Sequence, residues 1–216
     1  MRVLLTGFGP FPGVPVNQTA LLVEQFKTTG LRIPGIELTV EVLPVTWAAC
    51  AAWADRVFSG DPFDAILHLG LAATSSEFRI EAFANNRCST NRPDAAGQLW
   101  TGDCIVSGGP DKIPSTWPRL SGLVEALQFD GIPATVSSDA GDYLCNMLYY
   151  HTLLRARRQE CPVPVLFFHV PQAREIQSPG DRGVTWPLGL HKRAVGRVLV
   201  ESLASGPVSG SRPGET

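Results

Sequence analysis

The sequence predicts an α/β fold: a single domain with a mainly parallel, twisted sheet covered by helices on both faces. Three observations lead there. Short apolar segments alternate with segments of helical periodicity, the order that builds parallel βαβ units. Two apolar segments, Ala65 to Leu69 and Val163 to Val170, are almost unbroken, as strands buried on both faces must be. The 21 glycines and 18 prolines fall mainly between these segments and so mark where elements stop.

In chain order, Arg2 to Thr6 reads as a strand entering a glycine- and proline-rich loop, Gly7 to Pro15, and Asn17 to Phe26 carries apolar residues at helical spacing. Ile36, Leu38, Val40 and Val42 alternate with Glu37, Thr39 and Glu41, the pattern of a half-buried strand. Trp47 to Phe58 is alanine-rich and helical, and Ala65 to Leu69 is the next strand. Pro133 to Ser137 is a strand, Tyr143 to Arg157 a helix, Val163 to Val170 a strand and Leu188 to Leu203 a closing helix. Ser205 to Thr216 has no apolar face and reads as a flexible tail after a domain spanning 1–204. Asn85 to Pro118 is poorly periodic, and so long a connection is expected to border a functional site.

Composition narrows the function. With 216 residues the chain suits one domain, and a net charge of -2 gives no cationic field for nucleic acid. No apolar run reaches the roughly 20 residues of a membrane span, and Val3-Leu4-Leu5 is too short for a signal-peptide core, so a soluble cytoplasmic protein is expected. Five cysteines without a C-x-x-C pair suit neither a disulfide framework nor a zinc site. Gly7-x-Gly9 lacks the third glycine of a dinucleotide fingerprint, which leaves nucleotide binding without support.

Ligands of parallel α/β sheets bind beyond the carboxyl ends of the strands. Three such places carry chemistry. In Ser137-Ser138-Asp139-Ala140-Gly141-Asp142-Tyr143-Leu144-Cys145-Asn146, Cys145 falls in the opening turns of a helix, where the dipole favours thiolate over thiol. His169 stands at the end of a buried strand, and Glu81 follows the strand that ends near Gly70. A cysteine nucleophile needs a base and a third group to orient it, and these three residues supply the set.

Taken together, the pieces Leu5-Thr6-Gly7-Phe8-x-Pro10-Phe11-x-Gly13 with Asn17, Leu43-Pro44-Val45, His68-Leu69-Gly70-Leu71-Ala72, Ile80-Glu81, Gly131-Ile132-Pro133-Ala134, Ala140-Gly141-x-x-x-Cys145-Asn146 and Phe168-His169-Val170-Pro171 resemble the pyroglutamyl peptidase I family of cysteine peptidases, over nearly the whole chain. The resemblance implies hydrolysis of the amide bond after an N-terminal pyroglutamyl residue, with release of 5-oxoproline, by a cytoplasmic homotetramer that needs no cofactor. It makes Cys145 the nucleophile, His169 the base and then the acid, and Glu81 the orienting carboxylate. It also puts Phe8, Phe11, Asn17, Leu71, Tyr143 and Leu144 around the substrate. Pyroglutamate is a flat, uncharged lactam, so apolar walls and a few hydrogen bonds suit it better than a salt bridge.

One departure matters. Where the family carries an Asp-Ala-Arg-Ile-Pro-Asp-Asn-x-Gly stretch whose arginine helps hold the oxyanion, this chain has Ser89-Thr90-Asn91-Arg92-Pro93-Asp94-Ala95-Ala96-Gly97. Asn91 or a shifted Arg92 is the expected substitute. A second reading stays open, a catalytically weakened relative that binds a lactam or small amide without physiological turnover.

Overall fold

Four strands that run side by side in one direction meet two that run the other way, and this junction positions the site. The computed structural model describes residues 1–28, 33–159, 162–177 and 183–204; Cys161 and the expected tail at 205–216 lie outside them. The elements are β1 (Arg2–Phe8), α1 (Gln18–Thr28), β2 (Glu37–Leu43), α2 (Trp47–Phe58), β3 (Ala65–Leu71), β4 (Phe78–Glu81), β5 (Phe83–Asn85), β6 (Lys112–Pro114), α3 (Leu120–Phe129), β7 (Ala134–Ser137), α4 (Leu144–Ala156), β8 (Val165–Val170) and α5 (Leu188–Ala204). The large sheet has the order β2-β1-β3-β8-β4-β7, and β5 pairs with β6 in a small antiparallel ribbon.

All neighbours in the large sheet are parallel except β4 and β8, which pair Arg79 with His169 and Glu81 with Phe167. Residues 72–77 explain the exception. A parallel return needs a crossover of a dozen or more residues. The short link from β3 reaches only over the end of β8, so β4 comes back antiparallel.

Alternate strand residues feed two cores. Val3, Leu5, Leu67, Leu69, Phe168 and Ile80 pack with Leu22, Val23 and Phe26 of α1, Leu123 and Leu127 of α3 and Val195 and Val198 of α5. Leu4, Phe8, Ile66, Val165 and Phe167 pack on the other face with Trp47 and Trp53 of α2 and Met147, Leu148 and Tyr149 of α4. Helices thus cover both faces, as the alternating pattern requires. Gly7 lets α1 sit close, since a Cβ there would lie 2.6 Å from the Thr19 carbonyl oxygen.

Two expectations are corrected. The first strand runs on to Phe8, which is therefore a strand residue packed on Phe167 with ring centroids 6.5 Å apart, and not part of the loop. Glu81 closes a strand of its own instead of following β3. The helix Leu120–Phe129 had its apolar spacing in Leu120, Leu123, Val124 and Leu127, but Gly122 interrupts it and its N-cap, Arg119, makes no capping side-chain bond.

Candidate active site

Phe8, Leu71 and His169 stand at or near the carboxyl ends of β1, β3 and β8, and the chain entering α4 closes the space above them. The result is a cavity of about 140 Å³ lined by Phe8, Phe11, Asn17, Val45, Leu71, Arg92, Ala140, Gly141, Asp142, Tyr143, Leu144, Cys145 and His169. Pockets for drug-sized ligands run to roughly 300–1,000 Å³, so this one fits a single small ring. Nine of the eleven expected site residues share its wall, Arg92 among them; Glu81 stands behind His169, and Asn91 is not part of the lining.

His169 Nδ1 donates to Glu81 Oε1 at 2.8 Å. Glu81 is fully buried and His169 nearly so. With Nδ1 engaged, Nε2 is the ring nitrogen left to exchange a proton. The packing behind the ring is tight: a Cβ on Gly70 would meet Phe167 at 2.5 Å and His169 Cδ2 at 2.9 Å, so only glycine leaves the imidazole its place. The buried segment after His169 is clamped by Gln18, whose Nε2 donates to Pro171 O and whose Oε1 accepts from Ala173 N at 2.6 Å.

Cys145 is the second residue of α4. Asn146 pins that turn to the neighbouring chain: Nδ2 donates to Asn85 O at 2.8 Å and Arg87 O at 2.9 Å, and Oδ1 accepts from Asn85 N at 2.9 Å. The N-cap Tyr143 makes no capping side-chain bond, which leaves first-turn amides of α4 free beside the thiol. Burial pushes the Cys145 thiol up to about 12, with the Glu81 charge acting in the same direction and Arg92 and the local backbone amide opposing. The expected pull toward thiolate by the helix terminus is outweighed. With the thiol raised in this way, Cys145 is expected to rest protonated, and His169 lines the same cavity.

Other thiols do not compete. Cys50 and Cys88 belong to the same apolar cluster but not to the cavity wall; burial raises both, Cys88 to about 12. His68 is a core histidine: its Nδ1 lies 2.7 Å from Thr6 Oγ1 and its Nε2 3.1 Å from Thr152 Oγ1, and burial lowers it to about 3.

The rim is aromatic. Phe11 and Trp47 flank Tyr143, with centroids 6.3 and 5.2 Å away, and the Arg92 guanidinium stacks 4.3 Å from the Tyr143 centroid while lying 3.7 Å from Asp142. Tyr143 OH donates to Pro93 O at 2.7 Å, so the aperiodic segment borders the cavity through these residues. Asn17 has both ends of its side chain occupied: Nδ2 donates to Gly9 O at 3.0 Å and Oδ1 accepts from Thr19 N at 3.1 Å, which caps α1. Asn91 Oδ1 accepts from Ser89 Oγ at 2.6 Å. Among the described residues no group of three or more His, Cys, Asp or Glu side chains could hold a metal ion. No helix among them is long and apolar enough to cross a membrane.

Sequence reasoning missed Arg79, whose Nη2 lies 3.1 Å from Glu81 Oε1 and 2.7 Å from Ser137 Oγ. The alternation in Phe78-Arg79-Ile80-Glu81 was the available signal, because it puts Arg79 and Glu81 on one strand face.

A helix-borne cysteine sharing a small, largely apolar cavity with a carboxylate-held imidazole, on an α/β sheet, is the set of groups that a cysteine hydrolase of the acyl-transfer class requires. Comparison with known proteins narrows this. The chain belongs to the pyroglutamyl peptidase family, a family of cysteine peptidases, whose sequence profile matches residues 1–188. It is 33% identical over 175 residues to the pyrrolidone-carboxylate peptidase of Oceanobacillus iheyensis, covering 81% of this chain and 86% of that one. The crystal structure of the pyrrolidone carboxyl peptidase of Fervidobacterium islandicum AW-1 superimposes with a TM-score of 0.86 at 32% identity, over 95% of this chain and 99% of its own. That of Bacillus amyloliquefaciens pyroglutamyl peptidase I gives 0.84 at 28% identity, over 94% and 97%.

Proposed function

We propose that this chain hydrolyses the amide bond after an N-terminal pyroglutamyl residue, releasing 5-oxoproline and a shortened peptide. The observation that carries the reading is the 2.8 Å Glu81–His169 bond at the base of a small, largely apolar cavity whose wall includes Cys145. The lactam ring lies against Phe8, Phe11 and Leu71, with the following peptide leaving past Tyr143.

In the first half, His169 Nε2 takes the thiol proton as sulfur attacks the acyl carbon. Glu81 stabilises the imidazolium so formed. The oxyanion is held by the free amides at the start of α4, with Arg92 as the nearby cation and Asn91 as the other candidate donor. His169 then protonates the departing amine, leaving a 5-oxoprolyl thioester. In the second half, His169 takes a proton from water, hydroxide attacks the thioester, and the proton returns to sulfur as 5-oxoproline leaves.

Turnover of a fluorogenic pyroglutamyl amide tests this: activity abolished in Cys145→Ser and His169→Ala supports it, and a folded but inactive wild type refutes it. Inactivity would favour the weakened lactam-binding relative, a reading that rests on Asn91, bonded to Ser89, standing where the family carries an arginine. Asn91→Ala and Arg92→Ala separate the oxyanion donors, since loss of one such donor lowers kcat by about 10²- to 10³-fold. The family resemblance further supports a homotetramer acting in the cytoplasm, and the unpaired Cys50, Cys88, Cys104 and Cys145 suit a reducing compartment.

A further inference from the structure

Arg79 has no part in the acyl-transfer scheme, yet it is bonded to both halves of the site. It stands opposite His169 across the antiparallel β4–β8 ladder, on the same strand face as Glu81. Its Nη2 lies 3.1 Å from Glu81 Oε1, the oxygen that accepts the His169 proton donor. The same nitrogen donates to Ser137 Oγ at 2.7 Å and to the Asp139 carbonyl. Asp139 in turn accepts from Gly141 N at 2.9 Å through Oδ1 and from Arg87 Nη2 at 2.7 Å through Oδ2. The guanidinium therefore ties the carboxylate of the dyad to the turn that delivers Cys145.

Its charge matters as much as its bonds. Glu81 Oε2 is buried with no hydrogen-bond partner. A carboxylate in so dry a place, answered only by an imidazole, draws a proton onto the pair at higher pH. We propose that Arg79 is a positioning residue that holds Glu81 against His169 and whose charge opposes the addition of a proton to the pair, so that the imidazole can serve as a base. Cys145 and Tyr149 face the pair from α4, His68 from β3 through Phe167, and Arg92 and Asp142 from the mouth of the cavity; Asp139 and Arg87 lie beyond Arg79. Among the described residues, Arg79 is the cation in contact with the Glu81 carboxylate.

The kinetic arm rests on the peptidase reading; the spectroscopic arm does not. In the full chain, two-bond 1H–15N correlation spectra of labelled histidine, with the His169 signal identified by its loss in His169→Gln, follow protonation of the ring in wild type, Arg79→Gln and Arg79→Lys. Arg79→Gln is expected to raise the midpoint by about 0.5 to 1 pH unit and to move the acid limb of kcat/KM up with it, leaving KM within about two-fold. Arg79→Lys, which keeps the charge, is expected to bring the midpoint back toward wild type. Arg79→Met replaces the glutamine variant if that one fails to fold, with the same displacement. An unmoved midpoint in folded Arg79→Gln or Arg79→Met, or an equal displacement in Arg79→Lys, overturns the proposal. If no pyroglutamyl amide is hydrolysed, the peptidase reading fails while the titration still decides this one.

Discussion

Glu81→Gln isolates the charge that the proposed mechanism assigns to the orienting carboxylate. The amide keeps an acceptor oxygen near His169 Nδ1, so geometry is nearly preserved while the imidazolium formed during attack loses its counter-charge. A hydrogen bond to a charged partner contributes about 1.5 to 3 kcal/mol. At about 1.36 kcal/mol per decade, kcat/KM falls roughly 10- to 150-fold. Stability falls too: the new NH₂ stands where Glu81 Oε2 is buried without a partner, and an unsatisfied buried donor costs about 1 to 3 kcal/mol. Arg79, which loses its ion-pair partner, is 30% exposed and is solvated in part. For a domain of this size each kcal/mol lowers Tm by about 2 to 4 °C. The assay is steady-state hydrolysis of a fluorogenic pyroglutamyl amide across pH, with a melting curve to establish folding. Glu81→Gln within two-fold of wild type, with an unmoved acid limb, would refute the orienting role.

Two further outcomes follow from the geometry. Gly70→Ala puts a methyl group against Phe167 and the His169 ring, so overpacking of about 1 to 3 kcal/mol is expected along with a lower kcat, and a variant of wild-type Tm and activity contradicts the packing argument. Alkylation of Cys145 by iodoacetamide in the free protein follows the thiolate fraction; because its pKa is raised to about 12, that fraction is small at neutral pH and grows about tenfold per pH unit. A rate that levels off near pH 7 shows a resting thiolate–imidazolium pair and overturns the neutral ground state.

Most of the sheet was legible because its strands are short apolar runs between glycine and proline punctuation, and Cys145 and His169 were legible because both stand where such an element ends or begins. What escaped depended on tertiary pairing. β4 has only four residues, and of its polar positions Glu81 is buried and Arg79 only partly exposed, so the alternation did not read as a half-exposed strand. The Arg79–Glu81–His169 contact exists only because β4 returns antiparallel, which follows from the brevity of 72–77. The helix terminus at Cys145 was read correctly, but one residue number says nothing of how dry its surroundings are, and burial decides the thiol. Asn17 shows another limit: the family resemblance put it near the substrate, and it does line the cavity, but its hydrogen bonds to Gly9 O and Thr19 N, which cap α1, depend on the folded loop.

The central claim is acyl transfer to one sulfur, and the direct measurement is rapid-quench mass spectrometry during turnover of a pyroglutamyl amide. The account predicts a 5-oxoprolyl group on the peptide that contains Cys145, formed and consumed at rates consistent with kcat and absent in Cys145→Ser. A 5-oxoprolyl group on Cys50 or Cys88, or turnover that persists in Cys145→Ser, would contradict it.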